Sequence, residues 1–289
     1  MEVQKFEIFN SQLKPRPSVI AETVDLITER FPISLEEVWV DDLVIGLFFT
    51  GVKLSNGHAG VAFTPIGEIP EAVCCPTTAA RMPQAGGLEG KPASEIVQYA
   101  TDKNVIKSAI GVATLNALSQ SIMESSEGAD YQMVKEMDGF DLLKIQSHET
   151  VSLIGAFSPY IKRLKMMGNP FYIIEKHPQT LRPDEMKYFK PEKEMASALE
   201  KSGVVVLTGT SIVNHSIDPI LHFLRNGKRA GIIGPTASMI PDAFFKRGIH
   251  VMAGVRISNP DLMIKILKQG GSGYHLMREC GEKIAMIKK

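Results

Sequence analysis

Apolar positions along this chain change rhythm near its middle. Before residue 124 helical and alternating patterns are mixed; from Val151 onward, short, near-continuous apolar runs recur at wide spacing. In the first half Val19, Ile20, Val24, Ile27 and Phe31 fall on one side of a helix predicted over 18–30, opened by Pro17 and stopped before Pro32. Two β-rich stretches follow, 37–52 and 59–64. Between them Ser55-Asn56-Gly57 supplies residues that tolerate positive φ, which predicts an antiparallel hairpin. The stretch 65–92 is rich in Pro, Gly and Thr and has no clean period; a loop of that length in a compact domain is functional or disordered. Helices are predicted over 93–99 and 105–123. On the second, Val105, Ala109, Val112, Asn116 and Ser119 step by four and three, which puts Asn116 on a buried stripe. A buried amide has to be hydrogen-bonded, so it either ties down a neighbouring loop or points into a cleft.

The later runs are Val151–Ile154, Phe171–Ile174, 204–207, 230–233 and 250–253. Each gap leaves room for a helical crossover, and near-continuous apolar runs suit a parallel sheet covered on both faces. Helix punctuation agrees. Ser158-Pro159 and Asn259-Pro260-Asp261 read as N-caps followed by Pro at the first helical position, and Gly168, Gly227, Gly248 and Gly270 read as stops. The expected class is therefore α/β: an N-terminal α+β domain over 1–135, then a Rossmann-like parallel-sheet domain over 136–289.

Length supports two domains at 289 residues, and 44% apolar with 22% charged residues suits a packed globular protein. Thirty-two basic residues balance thirty-two acidic ones. No global field then attracts nucleic acid or an anionic membrane, and neither is an expected partner. No apolar run reaches the ~18 residues needed to span a bilayer. The N-terminus mixes both charges without an apolar core, and the three cysteines, Cys74, Cys75 and Cys280, are too few for a disulfide scaffold. A cytoplasmic location is the expectation.

Candidate chemistry gathers where parallel strands end, since ligands of open α/β sheets bind there. Gly155-Ala156-Phe157-Ser158 turns from a strand into a helix whose free N–H groups can face an anion; a plain tight turn is the alternative. Glu175 stands about twenty residues further on, the spacing of a ribose-binding acid. Thr208-Gly209-Thr210, with Asn214, offers neutral donors for phosphate, carboxylate or a metal-bound anion, or else caps the next helix. Gly234-Pro235-Thr236 ends the fourth run, and in the order 3-2-1-4-5 it would face Gly155 across the switch point. His215 and the adjacent Cys74 and Cys75 are the weaker metal-ligand candidates, because no partner stands at ligand spacing. Gly270-Gly271-Ser272-Gly273 reads as a flap or as a helix stop with a linker. Walker A, HExxH, GxSxG and HxE…CxxC patterns are absent, which argues against the chemistries that use them.

The segments Ile110-Gly111-Val112-Ala113-Thr114-Leu115-Asn116-Ala117, Leu153 to Pro159, Leu207-Thr208-Gly209-Thr210 with Asn214, and Gly234-Pro235-Thr236 resemble a bacterial and archaeal heavy-metal chelation family. The resemblance covers nearly the whole chain. It implies an enolase N-terminal-like domain followed by a Rossmann-like domain. It also implies a site between them, with Asn116 on one side and the strand-end loops on the other. The leading expectation is thus a protein that binds a small anionic or metal-chelating ligand in that cleft, for heavy-metal chelation or metallocofactor handling. A metal ion or metal chelate would be its cofactor or cargo. One rival is an enzyme using NAD or S-adenosylmethionine, with Glu175 on the ribose. Another is a binding or homo-oligomerising module without turnover, whose cleft would be filled by its own side chains.

Overall fold

The computed structural model describes residues 17–68, 85–125, 130–224 and 227–289. Cys74 and Cys75 lie outside the described residues.

The first helical pattern forms α1 (Val19–Arg30), with the Ser18 hydroxyl accepting the Ala21 amide as N-cap. The stretch 37–52 is two strands rather than one. β1 (Val40–Ile45) and β2 (Phe49–Leu54) turn at Gly46, whose N–H donates to the Phe49 carbonyl at 3.1 Å. With β3 (Ala59–Phe63) they form an antiparallel sheet in the order β1-β2-β3. The predicted hairpin is the β2–β3 pair, and Gly57 turns it at φ +85°. A short helix, α2 (Ala93–Ile96), runs through a 3-10 segment (Val97–Thr101) toward the long helix α3 (Val105–Ser125).

α3 is buried on almost every side, not along one stripe: residues 108–120 are all buried. A helix apolar all round needs neighbours all round. Its small residues admit them. A Cβ on Gly60 of β3 would run into the Ala113 carbonyl and lie 2.9 Å from the Asn116 Cβ, so only glycine lets the strand rest on the helix.

The rest of the chain builds an eight-stranded sheet. Its strands are β4 (Tyr131–Lys135), β5 (Val151–Ile154), β6 (Phe171–Ile174), β7 (Phe189–Lys190), β8 (Val204–Thr208), β9 (Arg229–Ile233), β10 (Val251–Ile257) and β11 (Gly281–Lys288). Between them lie α4 (Gly139–Leu142), α5 (Ser158–Met167), α6 (Met195–Lys201), α7 (Thr210–Val213), α8 (Ile217–His222), α9 (Asp242–Phe245), α10 (Pro260–Lys268) and α11 (Gly273–Glu279). The order is β4-β11-β10-β9-β8-β5-β6-β7. Neighbours from β10 to β7 are parallel; β11 runs antiparallel to both β10 and β4.

Strand alternation sorts the core into two layers. Val204 and Val206 pack with Leu153, Ile173, Ile161 and Leu164 on one face. Val205 and Leu207 face the other layer, which is continuous with Ile20, Leu54, Ile110 and Leu118 of the first half. The two halves therefore share a hydrophobic core. No helix among the described residues is long and apolar enough to cross a membrane.

All five predicted runs are strands, but their order is 2-1-3-4-5 rather than 3-2-1-4-5. After β6 the chain returns to the far side of β5, and periodicity carries no signal for which edge a returning strand takes. Helix α5 also starts one residue early: Phe157 is its N-cap and Ser158 its first residue, with no side-chain cap bond. The Phe157 ring instead meets Tyr160 edge-on, 4.4 Å between centroids. Asn259 does cap α10, accepting the Leu262 amide at 3.0 Å.

Candidate functional site

The observed order places the switch point between β5 and β8, so Thr208, not Gly234, faces Gly155. Gly155 has φ +103°, and a Cβ there would lie 2.7 Å from the Thr208 Oγ1. Both the backbone conformation and the close approach demand glycine. The next amide, Ala156 N–H, donates to the Glu175 Oε2 at 2.7 Å, and His177 N–H donates to Oε1 at 2.9 Å. Glu175, at the end of β6, thus closes over the β5–α5 turn. The amide that sequence offered to an external anion is held by an internal carboxylate.

Around this turn the hydroxyls of Ser158, Thr208 and Thr210 have no hydrogen-bond partner among the described residues. Gly209 belongs to the same row; its N–H donates to the Ile233 carbonyl at 3.3 Å, and a Cβ would lie 2.8 Å from the Thr236 Cβ. Sequence reasoning passed over His177. Its Nε2 is buried and without a partner among the described residues. Only its place three residues beyond a strand end could have marked it.

Asn214 joins the halves of the molecule. Its Nδ2 donates to the Glu68 Oε1 at 2.9 Å, and its Oδ1 accepts from the Ser216 hydroxyl at 2.8 Å. Glu68 also pairs with Lys176 at 3.4 Å. Glu68 sits in the aperiodic stretch, where sequence carries no signal for it. His215 has φ +58° and its Nε2 lies 2.8 Å from the Asp102 carbonyl, which fixes the proton on that nitrogen.

Asn116 and the Gly234-Pro235-Thr236 loop form a second group. The Asn116 amide, 2% exposed, donates to the carbonyls of Val61 at 2.8 Å and Thr236 at 2.9 Å. The Thr236 hydroxyl accepts the Phe63 amide at 2.9 Å. Pro235 lies near Gly273, the end of the glycine-rich turn before α11. Further along α3, Ser108 donates to the Val213 carbonyl at 2.8 Å and Gln120 to the Ile257 carbonyl at 3.0 Å. This seam is filled by the protein's own groups, and Asn116 ties loops together within it. Its Oδ1 remains buried without a partner among the described residues.

For a metal, the donor set decides the form that fits. Among the described residues no three His, Cys, Asp or Glu side chains converge. Cys280 is buried, and burial pushes its thiol up to about 11, so it stays protonated at neutral pH. Neutral hydroxyls suit the oxygens of an anionic complex better than a bare soft cation.

Residues 138–286 match the model of the DUF364 family, described as "Putative heavy-metal chelation", and residues 29–119 match a second model, DUF4213, with the same description. An uncharacterised protein of Methanocaldococcus jannaschii is 25% identical over 205 residues, which is 68% of this chain and 72% of its own. Two crystal structures of DUF364 proteins with unknown function share the fold at 20% identity. The one from Pyrococcus horikoshii has a TM-score of 0.72 and covers 92% of this chain and 98% of its own. The one from Desulfitobacterium hafniense DCB-2 has a TM-score of 0.66 and covers 93% and 98%.

Proposed function

The chain belongs to the DUF364 family, and from that premise we propose that it binds a metal in chelated, anionic form at the carboxyl ends of β5, β6 and β8. One observation carries this reading: Thr208, beside Gly155 at the switch point, and Thr210 present hydroxyls without partners among the described residues. Neutral donors can hold the oxygens of a chelate without competing for its metal. Ser158 adds a third hydroxyl, and the unpartnered His177 Nε2 adds a nitrogen that can donate to the complex or complete its coordination. The Glu175 carboxylate repels a second negative charge close to Ala156, which steers an anionic ligand toward β8. Both the Glu68–Asn214 and the Asp102–His215 bonds flank this mouth, so the ligand would sit where the first half meets the second. Cys74 and Cys75, six and seven positions after Glu68, are the soft donors that sequence offers to such cargo. The role that follows is metal or metallocofactor handling.

Calorimetric titration with Fe³⁺ and Ni²⁺, each as free ion and as citrate complex, tests the proposal. A citrate complex should bind one-to-one, and Thr208→Val/Thr210→Val should weaken it at least tenfold. Binding of neither form, or equal binding by the variant, would overturn it.

A further inference from the structure

A cavity opens at the opposite, amino-terminal edge of the parallel strands. It has a volume of about 430 Å³ and is lined by the turns that lead into β9 and β10 and by the end of β11. Among the described residues four cations line it, Lys228, Lys246, Arg247 and Lys288, together with His250 and no acidic residue. Glu22, from α1, is shared by two of them: it pairs with Arg247 at 2.6 Å and Lys246 at 3.2 Å. Lys228 and Lys288 have no ionic partner among the described residues. Lys228 donates to the carbonyls of Glu200 and Ser202 at 3.1 and 2.9 Å, and Lys288 donates to the Phe245 carbonyl at 3.0 Å.

Those carbonyl bonds hold both ammonium groups in place without neutralising them. Each ammonium carries three donors, so at least one remains on Lys228 and two on Lys288. His250 records the same field. Its Nδ1 accepts the Ala230 amide at 3.3 Å, and burial, with Lys288 on β11 and Arg229 on β9 bearing on it, holds the imidazole below its ordinary value. Arg229 is itself paired with Glu149. An open cavity with four cations on its wall, two of them without an ionic partner among the described residues, concentrates anions. The cavity also falls in the size range of small-molecule sites, and Leu224 and Phe245 give it an apolar side.

We infer that this cavity binds a small organic phosphate, with Lys228 and Lys288 on the phosphoryl oxygens and the carbon skeleton against Leu224 and Phe245. A phosphomonoester dianion matches two ammonium groups that lack ionic partners, and its organic part uses the space that a bare phosphate would leave empty. This site is separate from the strand-end mouth proposed above and does not depend on it.

The test uses the whole chain with glycerol 3-phosphate, inorganic phosphate and glycerol as probes, read by calorimetry. Glycerol 3-phosphate should bind one-to-one and at least tenfold more tightly than inorganic phosphate, with glycerol silent. Lys228→Gln/Lys288→Gln keeps donors for the same carbonyls but removes both charges, and should weaken binding at least tenfold. Thr208→Val/Thr210→Val should bind normally. A readout free of substitutions is the His250 imidazole resonance of the native protein, whose titration should move to higher pH when the phosphate binds. Equal binding of inorganic phosphate, equal binding by the Gln variant, or an unmoved His250 titration would each overturn the inference.

Discussion

The Asn116 side chain and the Thr236 backbone carbonyl, 120 residues apart, are joined by a hydrogen bond of 2.9 Å. The same amide reaches Val61, so one side chain spans α3, β3 and the loop after β9. Replacing it with alanine strands two carbonyls in the core and leaves a void. Asn116→Ala should lower the unfolding free energy by about 2–4 kcal/mol in urea denaturation. A loss under about 0.5 kcal/mol would mean the seam does not depend on this amide.

Gly155 faces two penalties when given a side chain, its positive φ and its contact with Thr208. Gly155→Ala should lose roughly 2–4 kcal/mol. Adding Thr208→Ala should recover the steric part only, because the backbone strain persists. A double-mutant cycle in urea separates the two, and full recovery would show that φ contributes nothing.

Both oxygens of Glu175 already accept backbone amides. Glu175→Gln should therefore cost about 1–2 kcal/mol by turning one acceptor into a donor that meets an N–H. Equilibrium dialysis of the native protein should find no affinity for NAD(H) or S-adenosylmethionine. Measurable affinity that disappears in Glu175→Ala would favour the cofactor-dependent enzyme over metal handling.

Stability should fall on mild acidification, and His250 should carry part of that fall. Its folded pKa is lowered by burial and by Lys288, while the unfolded value stays near ~6.5. Above that pH the ring is neutral in both states. As pH drops below it the unfolded chain takes up the proton first, so stability declines until the folded pKa is passed. In phosphate-free buffer, His250→Gln should flatten the profile where it falls below the unfolded value of ~6.5. An unchanged slope would assign the effect to other groups.

The Cys280 thiol should be silent toward a thiol reagent in the native state, since burial raises its pKa to about 11. A Cys74→Ser/Cys75→Ser variant isolates it. No thiol should react at pH 7.5 until denaturant is added. Rapid reaction without denaturant would show that the region around α11 opens readily.

The strands were the most legible part of this molecule. Val151–Ile154 and Phe171–Ile174 are strands end to end: a near-continuous apolar run of only four residues, bounded by turn residues, is too short for a buried helix and suits a strand covered on both faces. Their order was not legible, since whether the run at 204–207 returns beside β5 or beyond β6 is decided by packing between distant segments. That one difference exchanged Gly234 for Thr208 as the neighbour of Gly155. For the candidate residues, position was legible but partners were not: Thr236 and Glu175 stand at strand ends as expected, yet one serves docking and the other holds its own turn. Sequence marks a hydroxyl or a carboxylate, but not the backbone amide that will claim it. His177 and Glu68 escaped because neither follows a period or a motif.

The pairing of β4 with β11 also sets a timetable. Lys135 waits for Ile284, some 150 residues downstream. At a synthesis rate of about 5–20 residues per second, β4 is made roughly 7–30 s before its partner strand exists. Through that interval it is a nascent strand with unpaired edges, carrying Tyr131, Met133 and Val134. Cellular expression of this protein should therefore respond to chaperone supply and to translation speed between Lys135 and Ile284 more than the folded molecule's stability would suggest.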